Sequence, residues 1–391
     1  MTVNKRDLLR GGLAATALAL TPRMAFAQGL DGRKLVFVIL RGAMDGLSFA
    51  IPYAERRLMA LRADLTPEAA TAHDLGDGFA LHPSLTFTAG LYAKGELAVM
   101  HAAATPYRER SHFDGQDVLE SGAAKVFGAH DGWLNRALQK LDNPAEAVAI
   151  AQALPLALRG VAPASSWSPN VLPEASADTL ARLGRLYAQD ALLGPAWEKA
   201  VATDAVAGET DLNGRARGRG GPINYETLLQ AAGRLMAADS GPGLAVVGLD
   251  GWDTHANQGA DQGQLARRFA VLDAGLSALK TELGSAWSKT VVVLATEFGR
   301  TVAMNGTRGT DHGAASAAVL AGGAVRGGRM LGDWPGLDTL YEDRDLRPVN
   351  DLRGLFKGVL ADHWGLSRAD LDGFIFPDSR AVAPVGGLVG V

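Results

Sequence analysis

The sequence predicts an α/β fold: a mostly parallel central sheet with helices on both faces. Two observations carry this. Short apolar runs recur as near-continuous blocks, the pattern of strands covered on both faces. Between them, apolar residues recur every three or four positions, the pattern of helices with one buried stripe. Strands alternating with such helices build open sheets. The 391 residues, 47% hydrophobic and 20% charged, are ordinary for a globular chain of one large domain or two smaller ones. The 48 glycines point to many tight loops.

Taken in order, residues 1–27 read as an export signal. Lys5, Arg6 and Arg10 form a basic start, "GGLAATALAL" (11–20) a modest apolar stretch, and Ala25-Phe26-Ala27 a cleavage site. The apolar part falls short of the roughly 20 residues that a membrane span needs. "NKRDLL" (4–9) resembles a twin-arginine signal with Lys for the first Arg, so twin-arginine and general secretory export both stay open. The mature chain, 28–391, is expected to be a single α/β domain, periplasmic or secreted, without a transmembrane anchor. Removing 1–27 takes away four basic residues and one acid, moving the net charge from −4 to −7. That acidity argues against nucleic-acid binding. Cysteine is absent, so any metal must be held by Asp, Glu and His.

The strand candidates are "KLVFVIL" (34–40), "ELAVMH" (96–101), "GLAVVGL" (243–249), "TVVVLAT" (290–296) and "AAVLAGG" (317–323). A helix is expected to begin near Ser111, with Phe113, Val118 and Leu119 inward. A second is expected over 265–283, with Leu265, Phe269, Leu272, Leu276 and Leu279 in one stripe. Residues 201–223, rich in Gly and Arg without apolar period, read as a loop or mobile insertion. The tail 382–391 reads as loose chain or an edge strand.

Polar clusters follow the strand candidates. After the first come Arg41, Asp45 and Ser48. After the second come Arg108, Arg110, Ser111, His112 and Asp114. After the third come Asp250, Asp253, His255, Asn257 and Gln258. After the fourth come Glu297, Arg300, Asn305, Asp311 and His312. Ligands of open α/β sheets bind outside the carboxyl ends of strands, so these clusters can share one crevice. Carboxylates and imidazoles without thiolates suit Zn, Mn, Mg or Fe. In extended chain Asp253 and His255 point to the same side. Ser111 at a helix start fits a metal-activated nucleophile, or simply an N-cap. Asp45 before Gly46 fits a ligand or a turn residue. Glu297 and Arg300 fit a site or a structural ion pair.

"LRGAMDGLS", "TPYRERSHFDGQDVLESG", "GWDTHANQ", "TEFGRT" and "GTDHG", in this order, resemble the secreted bacterial family known as domain of unknown function 1501, over roughly 33–375. That family in turn resembles the alkaline phosphatase and sulfatase superfamily, which implies an alkaline phosphatase-like α/β fold. The resemblance implies metal ligands at Asp45, Asp253, His255, Glu297, Asp311 and His312, and catalytic roles for Ser111, His112 and Arg300. It implies one or two divalent ions, often zinc. The spacing departs from the superfamily: Asp253-Thr-His255 replaces D-x-x-x-H, and Glu297 stands where Asp is usual. The formylglycine motif is absent, since no Cys is present and Ser111 is not followed by x-P-x-R.

The leading expectation is an exported metal-dependent hydrolase of phosphate or sulfate esters, acting on a small-molecule or glycan ester. Ser111 would attack, with Arg108, Arg110 or Arg300 stabilising the developing charge. The alternative is a non-catalytic envelope or glycan-binding module of the same fold. It would work with a partner such as a member of domain of unknown function 1800. A third reading is a hydrolase that activates water, with Ser111 a cap.

Overall fold

The computed structural model describes residues 31–141, 146–169, 177–191, 193–208, 225–239 and 241–390. Residues 1–27, expected to be an export signal, therefore lie outside the described residues. The main sheet holds nine strands: β1 (Lys34–Arg41), β2 (Leu97–Ala104), β3 (Ala147–Ile150), β4 (Ala164–Trp167), β5 (Leu244–Asp250), β6 (Thr290–Ala295), β7 (Ser316–Ala321), β8 (Arg329–Leu331) and β9 (Asn350–Asp351). Their order is β8-β2-β7-β6-β1-β5-β3-β4, with β9 also paired to β2. The fold is α/β and the sheet mostly parallel, and all five sequence-predicted strands lie in it.

The central strand β1 alternates strictly. Val36, Val38 and Leu40 face one core with α1 (Thr86–Ala93), α4 (Tyr225–Ala237) and α5 (Gln264–Leu283). Leu35, Phe37 and Ile39 face the other with α2 (His112–Ser121), α3 (Trp133–Leu138) and α6 (Leu352–Trp364). This is why its sequence is continuously apolar: period-two alternation disappears when both faces are buried. The α5 stripe of Leu265, Phe269, Leu272, Leu276 and Leu279 is buried throughout. Each such side chain is worth about 1.5–3 kcal/mol relative to exposure.

Several expectations are corrected. β7 is antiparallel to both β6 and β2, whereas the apolar block read as parallel. The connection from β6, residues 296–315, contains no helix, the usual element of a parallel crossover, and the chain returns in the opposite sense. β1, β2, β5 and β6 run in one direction, and the reversed β7 brings its amino end to their carboxyl edge. Phe113 was expected inward but is 88% exposed. The buried face of α2 is Gly115, Val118 and Leu119, and position 113 lies well round the helix from 118. Residues 201–208, expected as loop, end the helix Leu193–Gly208, and 209–223 lie outside the described residues. The tail is tied down: Val389 bridges Val325, and Leu388 is buried. Among the described residues no helix is long and apolar enough to cross a membrane.

Candidate metal centre

The carboxyl edge collects four loops, held together by main-chain contacts. Gly42, just after β1, has φ +114°, and a Cβ there would lie 2.7 Å from the Asp253 nitrogen. Only glycine allows this turn and this approach. The loop before β7 zips onto the loop after β5: Asn257 and Gln258 donate their N–H groups to Thr307 and Arg308 carbonyls, both at 2.9 Å. Gly309 lies against the backbone of His255, where a Cβ would be 2.4 Å from the carbonyl carbon. A two-residue antiparallel pair, Gly299–Arg300 with His312–Gly313, sets His312 opposite Arg300.

Glu297, placed just past β6, is fully buried. Its Oε1 accepts from the N–H groups of Gly42 (2.8 Å) and Ala43 (3.2 Å), and lies 2.7 Å from His112 Nδ1. Thr296 Oγ1 lies 2.9 Å from the other oxygen. Burial pushes this carboxyl up, but the bonds from His112 and Gly42 outweigh it and hold it below the usual range. The same bond pushes the His112 imidazole up, against a smaller effect of burial. In the neutral ring, an Nδ1–H donated to Glu297 leaves the lone pair on Nε2, on the crevice side.

Three groups meet there. Single donor atoms of His112, Asp253 and His312 all lie within 4.8 Å of one another. His112 Nε2 is 3.4 Å from Asp253 Oδ2, and His312 Nε2 is 3.3 Å from Asp253 Oδ1. His312 Nδ1 is held by the Arg110 carbonyl at 2.9 Å, which turns its Nε2 inward. Burial lowers the His312 pKa, which keeps the ring neutral and able to donate a lone pair. His112 Nε2 is buried and has no hydrogen-bond partner among the described residues. A buried polar atom without partner is unfavourable by about 1–3 kcal/mol. An imidazole–carboxylate–imidazole set with one unsatisfied nitrogen fits a divalent cation, zinc among those suited to it.

His255 adjoins this set. Its Nε2 is 2.9 Å from both Asp253 Oδ1 and His312 Nε2, and its Nδ1 is 3.4 Å from Asp311 Oδ1. Asn305 donates to Asp311 at 2.9 Å. The geometry thus brings together Asp253, His255, Glu297, Asp311 and His312, with His112 among the donor atoms. Sequence reasoning gave His112 only a catalytic label. Its place in a polar cluster after β2, like that of Asp253 after β5, was the available signal.

Asp45 is elsewhere. It is buried in a polar knot, ion-paired to Arg62, with Ser48 Oγ at 2.9 Å and Gln258 Nε2 at 2.7 Å. It also caps the short helix Gly46–Phe49 through the Leu47 N–H. Burial pushes its carboxyl up, and Arg62 more than reverses this, so it stays charged. Its lone pairs are used inside the fold, which answers the ligand reading with a structural one. Arg62, the partner, carried no sequence signal, because an arginine in an ordinary helical run looks solvent-exposed.

Arg300 is buried and spends its donors on the carbonyls of Ala43 (2.9 Å), Thr310 (3.1 Å), Gly42 and Trp252 (both 3.2 Å), and on Asp253. The ion pair imagined between Glu297 and Arg300 is in fact two pairs, Glu297–His112 and Arg300–Asp253. Burial raises the Asp253 pKa, and the Arg300 charge outweighs it and holds the carboxylate ionised. Arg110 is bound to Asp345 at 2.7 Å and to Glu342, and Arg108 to the Tyr107 carbonyl at 2.7 Å and to that of Thr105. Ser111 occupies the N-cap position of α2 in extended backbone, yet its side chain makes no capping bond. Its N–H donates to the Tyr107 hydroxyl at 3.0 Å.

Among curated proteins no sequence matches this chain. In three dimensions it is distantly similar to the phosphonate monoester hydrolase of Agrobacterium radiobacter, at 10% identity over 86% of this chain and 74% of that one, TM-score 0.39. A second similar structure is the C-terminal periplasmic domain of EcEptC from Escherichia coli, in complex with Zn, at 11% identity over 76% of each chain, TM-score 0.37. A third is the alkaline phosphatase of the Antarctic bacterium TAB5, at 12% identity over 74% of this chain and 91% of that one, TM-score 0.30. A family model matches residues 33–372, and the chain belongs to that family, described as Protein of unknown function (DUF1501).

Proposed function

We propose that this protein is an exported metal-dependent hydrolase of phosphate or sulfate esters. The observation that carries the metal is the buried, unpartnered His112 Nε2, aimed at Asp253 while Glu297 holds the opposite ring nitrogen. His112, Asp253 and His312 would hold the ion, and His255 with Asp311 would border it. A divalent ion bound there would polarise an ester oxygen and lower the pKa of an attacking hydroxyl or water. The ester class rests on the motif resemblance to the alkaline phosphatase and sulfatase superfamily. Export rests on the features of residues 1–27.

Each side chain has a task in this reading. Ser111 is the nucleophile, since its hydroxyl is not committed to capping. Arg300 fixes Asp253, and Glu297 fixes the tautomer of His112. The test is metal analysis of the purified protein together with turnover of aryl phosphate and aryl sulfate. Expected are bound metal, its loss in His112→Ala and His312→Ala, and an activity that requires Ser111. Full metal content in both histidine variants would overturn the reading of the centre.

One observation favours a second reading. Arg108, Arg110 and Arg300 are all engaged by carboxylates or carbonyls, so none of these three is free to meet transition-state charge. A metal-holding, non-catalytic module that binds a glycan or envelope component, with a partner such as a member of domain of unknown function 1800, needs no such cation. Metal binding without turnover of either ester would support it. Turnover retained in Ser111→Ala would instead favour activated water.

A further inference from the structure

Beside the metal centre, at the same edge of the sheet, lies a separate cavity of about 540 Å³. It exists because neighbouring strands stop at different heights. β3 ends at Ile150, opposite Val247, while β5 runs on to Asp250. The corner left open is floored by Ile150 and Val246 and walled by Tyr225. Gly248 keeps it clear, since a Cβ there would sit 3.2 Å from Arg41 Nε.

Three arginines line it: Arg41, Arg159 and Arg268. Arg41 is neutralised by Glu120 at 2.6 Å. Arg159 and Arg268 pair with no carboxylate among the described residues: Arg159 Nε donates to the Leu154 carbonyl, and Arg268 to the Tyr225 hydroxyl at 3.3 Å. Against them stands one lining carboxylate among the described residues, Asp250. The balance is positive, in a protein whose overall charge is negative. Guanidinium groups are weakly hydrated and match oxyanions in shape. The volume is that of a small-molecule site, and a mostly apolar wall with a few polar groups is the usual make-up of one.

The cavity and the metal centre share their walls. Arg41 immediately precedes Gly42, whose N–H holds Glu297. Asp250 ends β5, and the loop that follows carries Asp253. Helix α2 starts at His112 and reaches Arg41 through Gln116 and Glu120. We propose that this cavity binds an organic oxyanion, a carboxylate, sulfonate or phosphate on an apolar or aromatic body, and that this is the end of the substrate remote from the ester. The oxyanion pairs with Arg159 and Arg268, the body lies on Ile150, Val246 and Tyr225, and Asp250 accepts a hydrogen bond from a hydroxyl. The link to the substrate rests on the hydrolase reading, whereas the binding itself does not.

The test is calorimetric titration of the purified protein with phenylphosphonate and, as its neutral counterpart, benzyl alcohol. Phenylphosphonate should bind at least tenfold more tightly than benzyl alcohol. Arg159→Glu, at an exposed position, and Arg268→Gln should each weaken it at least tenfold, while His312→Ala leaves it within twofold. Should the charge reversal unfold the chain, Arg159→Gln serves in its place with the same expectation. Absence of binding, equal binding of both probes, or binding unchanged in the arginine variants would overturn the proposal. So would its loss in His312→Ala, because the phosphonate would then be sitting on the metal centre. Intact arginine-dependent binding with no ester turnover would sink the hydrolase reading and leave the oxyanion site standing.

Discussion

His112 Nδ1 lies 2.7 Å from Glu297 Oε1, across 185 residues of sequence. That contact makes one nitrogen a donor and leaves the other to face Asp253. Replacing Glu297 with Gln keeps the volume and removes the charge. Metal affinity should fall by about 10–100-fold, the usual effect of losing such a supporting carboxylate. Competition with a chromophoric chelator measures it, and an unchanged affinity would remove Glu297 from this role.

Asp45 gives the opposite expectation. Asp45→Ala leaves Arg62 charged and buried, and removing one partner of a buried pair costs about 3–5 kcal/mol. Urea unfolding should register that loss while metal per chain stays at the wild-type value. Lost metal with intact stability would return Asp45 to the ligand set.

Stability should fall on mild acidification. His101 donates from Nε2 to the Ala50 carbonyl and accepts from the Ala102 N–H, which suits the neutral ring. Burial lowers its pKa from 6.5 to about 4. Burial of His363 lowers its pKa to about 4 as well. A folded pKa below the unfolded one means that the unfolded chain takes the proton first. Stability from these residues is therefore complete above about pH 6.5, falls as pH drops toward 4, and levels off below. The loss is about 3 kcal/mol per histidine. Urea midpoints measured between pH 7 and pH 4 check it, and a flat profile would contradict it.

Gly42→Ala should destabilise by at least about 2 kcal/mol, since its φ and its contact with the Asp253 backbone both exclude a side chain. The same push displaces Asp253, so metal content should drop as well. Thermal melts and metal analysis read the two effects separately.

Ser111→Ala separates nucleophile from cap. A capping serine contributes about 1 kcal/mol, whereas this one makes no capping bond, so stability should stay within about 0.5 kcal/mol. Ester turnover should fall by at least about 10³-fold if the hydroxyl attacks. Unchanged turnover would favour activated water.

The fold was legible because β1, β2, β5 and β6 are buried on both faces and carry continuous apolar runs. The clusters after those strands were legible for the same reason, since a strand's end is visible where the apolar run stops. Glu297 and the Asp253–His255 spacing could be read directly. The direction of β7 could not, because an apolar block carries no sense of orientation. The inward guess for Phe113 failed because a helix face is decided by what packs on it, here Phe298 against Gly115. The polar knot around Asp45 was not legible, because Arg62 is indistinguishable in the sequence from a surface arginine.

The reversal of β7 has a consequence for biosynthesis. His312 arrives just before β7, so the three candidate ligands span about half of the chain, from residue 112 to residue 312. No nascent fragment ending before His312 contains all three candidate ligands. Capture by all three must wait for His312 to reach the other two, and such long-range closure is slow compared with local helix formation. Under the proposed export, the identity of the metal would then be set by whichever compartment the three ligands meet in.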